Sequence, residues 1–412
     1  MRLTIITGET RGISRLHLPK IKGVWGAKTS GAPIVSVNLD AFQSWGKEQA
    51  HNAPVGERPV FAYTTALNHL LKTEYQSLHI GTKKVGKVSI VFWAEQPTEM
   101  ETAVVDIFGE PPKNDPDRQT QKVAALFKSI HHGRYVRDDA DTRFYVLGLS
   151  PNAGRTAVRF WQQTTVGELA GHIIQHFEDI RIIHGGKQPE YLPLFRLLTS
   201  TAAQGKADNI PPNLAGDTLR AILEGRPYPR TLLAAAVRRC RAEQAKHDKN
   251  TGKQLPNVPY ERAALIKGCL NRATRISNLE HKEELTVSLD PDNSNPGYRL
   301  GRLFALLEYI QKKAMGDINA TIRDRYYGSA SATPSAVFPT LIKLSMNHLG
   351  KIEKPGWLEK QMGEIIDGIG DFPPHLSLED QGRFAIGYYH QRHQRQDFFR
   401  KREPETPQGD DQ

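Results

Sequence analysis

Cysteine is nearly absent. Cys240 and Cys269 are the only two in 412 residues, and their spacing matches no metal site. That excludes a disulfide framework, and a reducing cytoplasm is the expected location. No apolar run approaches the ~20 residues of a membrane span. The apolar patch in the opening MRLTIITGETRG is too short for a signal peptide. No set of carboxylates has the spacing of metal catalysis. Acids are missing altogether from one long stretch: none stands between Glu9 and Asp40, where Arg11, Arg15, Lys20, Lys22 and Lys28 lie. They are sparse in another. Between Arg226 and Arg275, twelve Lys/Arg meet three acids, Glu243, Asp248 and Glu261. That imbalance is nearly the whole chain's net charge of +10. Such a balance suits a polyanion partner, though it speaks to partners and not to fold.

What is present suffices for a packed core: 38% apolar and 24% charged residues. The length predicts two or three domains. Residues 13–40 form a Gly- and Pro-rich basic loop leading to a short strand, IVSVNL (34–39). Asp40 then caps a short helix, AFQSW, and 46–56 is a polar loop holding Lys47, Gln49 and Asn52. A helix fits 59–71 and a buried strand 87–95. Helices fit 98–108 and 118–131. The β-runs 143–149 and 155–163, joined by the five turn residues SPNAG, predict a hairpin. A helix over 166–183 follows. The sheet is therefore mixed or antiparallel and not a repeated βαβ pattern.

From Leu192 onward the pattern is helical: 191–203, 215–224, 230–247 and 259–276, with prolines between. In 298–315, Leu300, Leu303, Phe304, Leu307, Ile310 and Ala314 recur at three- and four-residue steps, the stripe of a half-buried helix. Further helices fit from Thr333–Pro334 to Gly350, from Trp357 to Ile369, and from Ser377 to about Arg395. The fold class is α+β: a mixed or antiparallel sheet in the N-terminal half, then an all-α half ending in a helical bundle. The expected division is 1–190, a basic helical region 191–286, a bundle 287–402 and a polar tail 403–412.

Apparent chemical motifs are weak. GTKKVGKV (81–88) resembles a phosphate loop but ends in Val88 where Ser or Thr belongs, and it precedes a strand. GLSPN (148–152) lacks the second glycine of a nucleophile elbow. His131–His132, His247–Asp248 and His390/His393 have no companion ligands near in sequence. No catalytic residue, metal or cofactor is expected. Arg238, Arg239, Arg241 and Lys246 fall on one basic helix, Lys267, Arg272 and Arg275 on another. Such one-sided runs suit phosphate contact. DRYYG with Arg323 and Arg325, and GYYHQRHQR with Arg392 and Arg395, interleave aromatics with arginine. These can stack on bases, and equally can be core tyrosines rimmed by arginine.

The motifs SRLHLPKIKGV (14–24), SVNLDAFQSWGKEQ (36–49), FAYTTALNHLL (61–71), FYVLGLSPNAGRTAVRFW (144–161), YRLGRLFALLEYIQ (298–311) and NATIRDRYYGSASATPSAVFPTLIKL (319–344) run in order along almost the whole chain. Together they resemble the large subunit of the type I-C CRISPR–Cas surveillance complex, Cascade. The resemblance implies a subunit without catalysis in an RNA-guided antiviral complex. It would sit at the guide's 5′ handle among other Cascade subunits, help read the motif flanking the target, and recruit the helicase–nuclease. In that family the C-terminal helical part is also made separately; here it corresponds to residues from about Val287. Family members carry a further N-terminal region ahead of anything matching Arg15, on which flanking-motif reading largely depends.

The expected role is thus a non-enzymatic, nucleic-acid-binding subunit. Arg15, Lys20, Lys22, Lys28, Lys47, Gln49 and Asn52 would hold guide handle or duplex, and the basic helices and bundle the displaced strand. Two rivals stand beside it: a metal-dependent nuclease or NTPase using His247/Asp248 or the 81–88 loop, and a helical adaptor that binds only protein.

Overall fold

The computed structural model describes residues 2–74, 76–80, 88–109, 140–211, 213–248, 251–252, 254–277, 284–316, 318 and 320–400, with four isolated positions at 121, 124, 125 and 128. The 81–87 loop, His131–His132, most of the helix expected over 118–131 and the tail after residue 400 lie outside the described residues. The side chain of Arg395 does too. The chain forms two compact units. The first is Met1–Ile174 with Pro193–Leu198 and Lys206–Gly225. The second is Gln175–Leu192 with Thr199–Gly205 and everything from Arg226. The units cut the chain differently from the expected division at 190/191 and 286/287: residues 191–225 are shared between both.

The first unit is built on an antiparallel meander, β3 (Ser77–Ile80), β4 (Val88–Ala94), β5 (Arg143–Asn152) and β6 (Arg155–Thr165). A small pair, β1 (Arg2–Leu3) and β2 (Thr10–Arg11), stands apart. The β5–β6 hairpin is tighter than SPNAG suggested. Both strands run on until only Ala153 and Gly154 remain, at φ 43° and 96°. Two left-handed residues give the turn whose twist matches the strands. At the bulge after Gly148 the missing side chain admits the Phe160 ring. One sheet face buries Phe92, Phe144, Val146 and Phe160; α2 (Glu99–Phe108) packs on β3 and β4, and Gln162 Nε2 donates to Leu223 O at the end of α5 (Leu214–Leu223) at 2.9 Å. The other face presents Val91, Leu147 and Leu149 to Ile21 and Val24 and to Leu67 and Leu71 at the end of α1 (Glu57–Leu70). Ile34–Leu39 is not a strand. It crosses the hairpin, with Thr156 N–H donating to Pro33 O, and finds no ladder partner among the described residues. After it comes a single 3₁₀ turn, Asp40–Phe42, in place of the expected helix.

The second unit is helical: α6 (Arg230–Ala242), α7 (Tyr260–Ile276), α8 (Pro296–Met315), α9 (Ile322–Ala330), α10 (Pro334–Leu349), α11 (Gly356–Asp367) and α12 (Leu378–Arg400). The helix α3 (Val166–Ile180) belongs to the first unit up to Ile174; the short α4 (Leu194–Thr199) lies at a later crossing of the chain. Local chemistry sets several starts. Asn295 accepts from Tyr298 N–H with Pro296 in the first turn, and Ser377 Oγ accepts from Asp380 N–H. The segment GSASATP (328–334) has the composition of a small-residue hinge, yet α9 continues through its first three residues to Ala330. Helices α8 and α12 approach backbone to backbone. A Cβ on Gly301 would strike Phe384 O, and one on Gly387 would strike Tyr298 O. Around Phe304 the rings of Tyr327, Phe338, Phe384 and Tyr388 pack at 5.8–6.5 Å. Helix α7 is buried nearly all round, and both cysteines, Cys240 on α6 and Cys269 on α7, are buried free thiols.

Candidate nucleic-acid interface

In the first unit the acid-free loop is anchored from beneath. Ile21 and Ala32 exchange backbone hydrogen bonds, and Ile21 and Val24 enter the core. Gly31, at φ 86°, closes this turn; a Cβ there would lie 2.9 Å from Ile21 O. Asn68 on α1 fastens the loop, accepting from Lys22 N–H at 2.8 Å and donating to Lys20 O at 3.1 Å. Arg15, Lys20, Lys22 and Lys28 are all left exposed. Nothing in the sequence singled out Asn68, since one amide on an amphipathic helix carries no signature.

The polar loop is organised by Asn52. Its Nδ2 donates to Lys47 O at 2.7 Å and Gln49 O at 3.0 Å, and its Oδ1 accepts from Ser44 N–H at 2.9 Å. Asn52 therefore spends its amide on the loop itself. The loop it holds presents Lys47 to solvent, Gln49 in part, and Trp45, at φ 55°, 94% exposed. Phe42 lies beneath the Arg155 guanidinium at 4.3 Å.

In the second unit the fold sorts the arginines. Arg238 and Arg241 on α6 and Arg325 on α9 are exposed and make no ion pair among the described residues. Gln244 ties these helices together: Nε2 donates to Asp324 O at 2.9 Å, and Oε1 accepts from Gly328 N–H at 2.7 Å. Glu243 gathers Arg262 at 2.9 Å, Lys246 at 3.6 Å and Arg239 at 4.0 Å. Arg275 meets Asp179 at 2.6 Å and Glu284 at 3.0 Å. Arg392 donates to Tyr388 Oη at 3.0 Å, and Tyr388 donates to Glu308 at 2.6 Å. Burial alone would raise Glu308, yet Arg392 and Lys312 hold it below the usual carboxylate range.

Arg272 and Arg323 turn inward. Each is 1% exposed. Arg272 lies 3.7 Å from Asp179 and donates to Tyr228 Oη at 3.2 Å; Arg323 donates to Gln244 O at 3.1 Å. Helical spacing alone could not distinguish them from surface cations, because long side chains turn inward where an acid or carbonyl awaits. Lys267 is likewise internal, donating to Asp179 O at 3.1 Å, and burial lowers it to about 8.

The weak motifs take structural places. Asp248 Oδ1 accepts from Thr251 N–H at 2.7 Å and closes a turn. GLSPN lies within β5, and His390 is buried. Among the described residues, no group of three or more His, Cys, Asp or Glu is placed to hold a metal ion, and no helix is long and apolar enough to cross a membrane.

No curated protein matched the chain. The family model described as CRISPR-associated protein (Cas_Csd1) matches residues 1–396, nearly its full length. Matched over more than half its length, the chain belongs to the Cas_Csd1 family of CRISPR-associated proteins.

Proposed function

We propose that the chain is a non-catalytic, nucleic-acid-binding large subunit of a type I-C, Cascade-like complex, holding guide RNA and target DNA and recruiting the helicase–nuclease. One observation carries the reading within this family. Two acids beside the basic helices of the second unit are engaged by inward or clustered cations, Asp179 by Arg272 and Arg275, Glu243 by Arg262, while Arg238, Arg241 and Arg325 stay exposed and without an ion pair among the described residues. Exposed cations without partners are phosphate contacts in waiting, and they read backbone, not sequence. Sequence would be read by guide pairing.

The test is a salt titration of target binding by the assembled complex. Replacing Arg238 and Arg241 by Glu is expected to weaken every target by a similar factor and to flatten the salt dependence by about 0.7 in slope per lost phosphate contact on single strands. An unchanged slope with intact assembly would sink the phosphate role. Failed assembly would move these residues to a protein interface. The purified chain alone is expected to cut no DNA and hydrolyse no ATP; cleavage abolished by His247→Ala would overturn the non-catalytic reading.

A further inference from the structure

Half of the sheet face that carries the basic loop is not covered by that loop or by α1 among the described residues. Side chains alternate across a strand, and Trp93, Tyr145 and Trp161 emerge on the same side as Val91, Leu147 and Leu149: Trp93 pairs with Tyr145, and Trp161 with Leu147. Their rings close a triangle. Trp93 and Tyr145 stack at 5.4 Å, Tyr145 and Trp161 at 5.8 Å, and Trp93 tilts against Trp161 at 5.6 Å. Trp93 leans on the core cluster; Trp161, on the edge strand β6, is 51% exposed. In the strands themselves the one charge on this side of β4–β6 is Arg143, exposed and without an ion pair among the described residues. Glu95, also exposed, follows the end of β4. The other half of the same face is covered by Ile21 and Val24 of the acid-free loop, which exposes Lys20, Lys22 and Lys28.

An exposed indole on a cluster of half-buried rings, beside an acid-free basic loop, matches one kind of ligand in both charge and shape. Bases stack on rings regardless of sequence, while lysines follow the phosphates. We propose that the Trp93–Tyr145–Trp161 face is a base-stacking platform for single-stranded nucleic acid, with Lys20, Lys22 and Lys28 meeting its backbone. This rests on reading the chain as nucleic-acid binding. It adds to that reading a surface in the first unit, chemically distinct from the arginines of α6 and α9.

The test uses the purified full chain and fluorescein-labelled oligo(dT), read by anisotropy across a range of salt. Trp161→Ala is expected to lower affinity about tenfold, the effect of losing one stacked base. Its salt slope is expected to stay that of the wild type, because a ring releases no counterion. Trp161→Phe should restore most of the loss. Lys20→Glu with Lys22→Glu should weaken binding and flatten the slope. Unfolding curves for Trp161→Ala matching the wild type exclude a folding defect. Wild-type binding with Trp161→Ala unchanged overturns the platform and leaves the nucleic-acid reading intact. A Trp161→Ala chain that binds oligo(dT) normally but no longer assembles with co-expressed complex subunits also overturns it and assigns the face to a protein. A wild type that binds no oligo(dT) even at low salt defeats both.

Discussion

Tyr298 and His390, 92 residues apart, share a buried hydrogen bond of 2.9 Å between Oη and Nδ1. Tyr298 Oη also accepts the N–H of Asp290 at 3.1 Å, so the phenol bridges the loop before α8 and the imidazole on α12. Tyr228 and His176 repeat the arrangement, with Arg272 donating to the phenol. Burial, with Lys267 in one case and Arg272 in the other, pushes both histidines down to about 3.

Acid should therefore loosen the second unit. Unfolded histidine titrates near 6.5. Below that value the unfolded chain takes up protons that the folded chain refuses until about pH 3, so stability is full above pH 6.5 and lost as pH falls. At pH 5 the loss is about 2 kcal/mol per histidine. Urea unfolding at pH 7 and pH 5 measures it; a His390→Asn variant with the same pH dependence as wild type would refute His390's share.

Arginines of one sequence type should behave oppositely. Arg272→Met leaves Asp179, itself 1% exposed, short of a charge partner and is expected to cost about 3 kcal/mol. Arg238→Ala, at an exposed position, should change stability by less than about 0.5 kcal/mol. Comparable losses for the two in denaturant melts would contradict the sorting of cations described above.

Glycines give a second contrast. Gly387→Ala drives a methyl into the Tyr298 carbonyl and forces α8 and α12 apart, at about 3 kcal/mol or more. Gly363, inside α11, has open space where a Cβ would stand. Gly363→Ala should stabilise by about 0.5–1 kcal/mol through helix propensity and a less free unfolded chain. Thermal melts that rank the two variants the other way would show that the close approach of α8 and α12 is not maintained in solution.

Much of the architecture was legible because it rests on local periodicity. The stripe Leu300–Leu303–Phe304–Leu307 gave α8, and the β-branched and aromatic run at 88–94 gave β4. The misses came where tertiary partners overrule pattern. Ile34–Leu39 has strand composition but, among the described residues, no neighbouring strand to pair with. Gly328–Ala330, the last residues of α9, have the composition of a small-residue hinge, and what fixes them is Gln244, which follows α6. The candidate site was legible only as charge. Which arginines point inward depends on acids such as Asp179, distant in sequence, and Asn52 and Asn68 act through backbone groups that no motif reveals.

Asn52→Ala removes three of the bonds that hold the loop from Ser44 to Gln49. Each is worth about 1 kcal/mol. The expected result is several-fold faster tryptic cleavage after Lys47 with an unchanged global melting temperature. Equal cleavage rates would show that the loop is held by other contacts.

The burial of Cys240 and Cys269, which raises both thiols and takes Cys240 to about 11, makes the folded chain inert toward sulfhydryl reagents. A cysteine introduced at Lys47 or Arg143 would then carry a dye at one known place, with no native site to remove. In the unsubstituted chain, the slow reaction of those two thiols becomes a clock for the opening of the second unit.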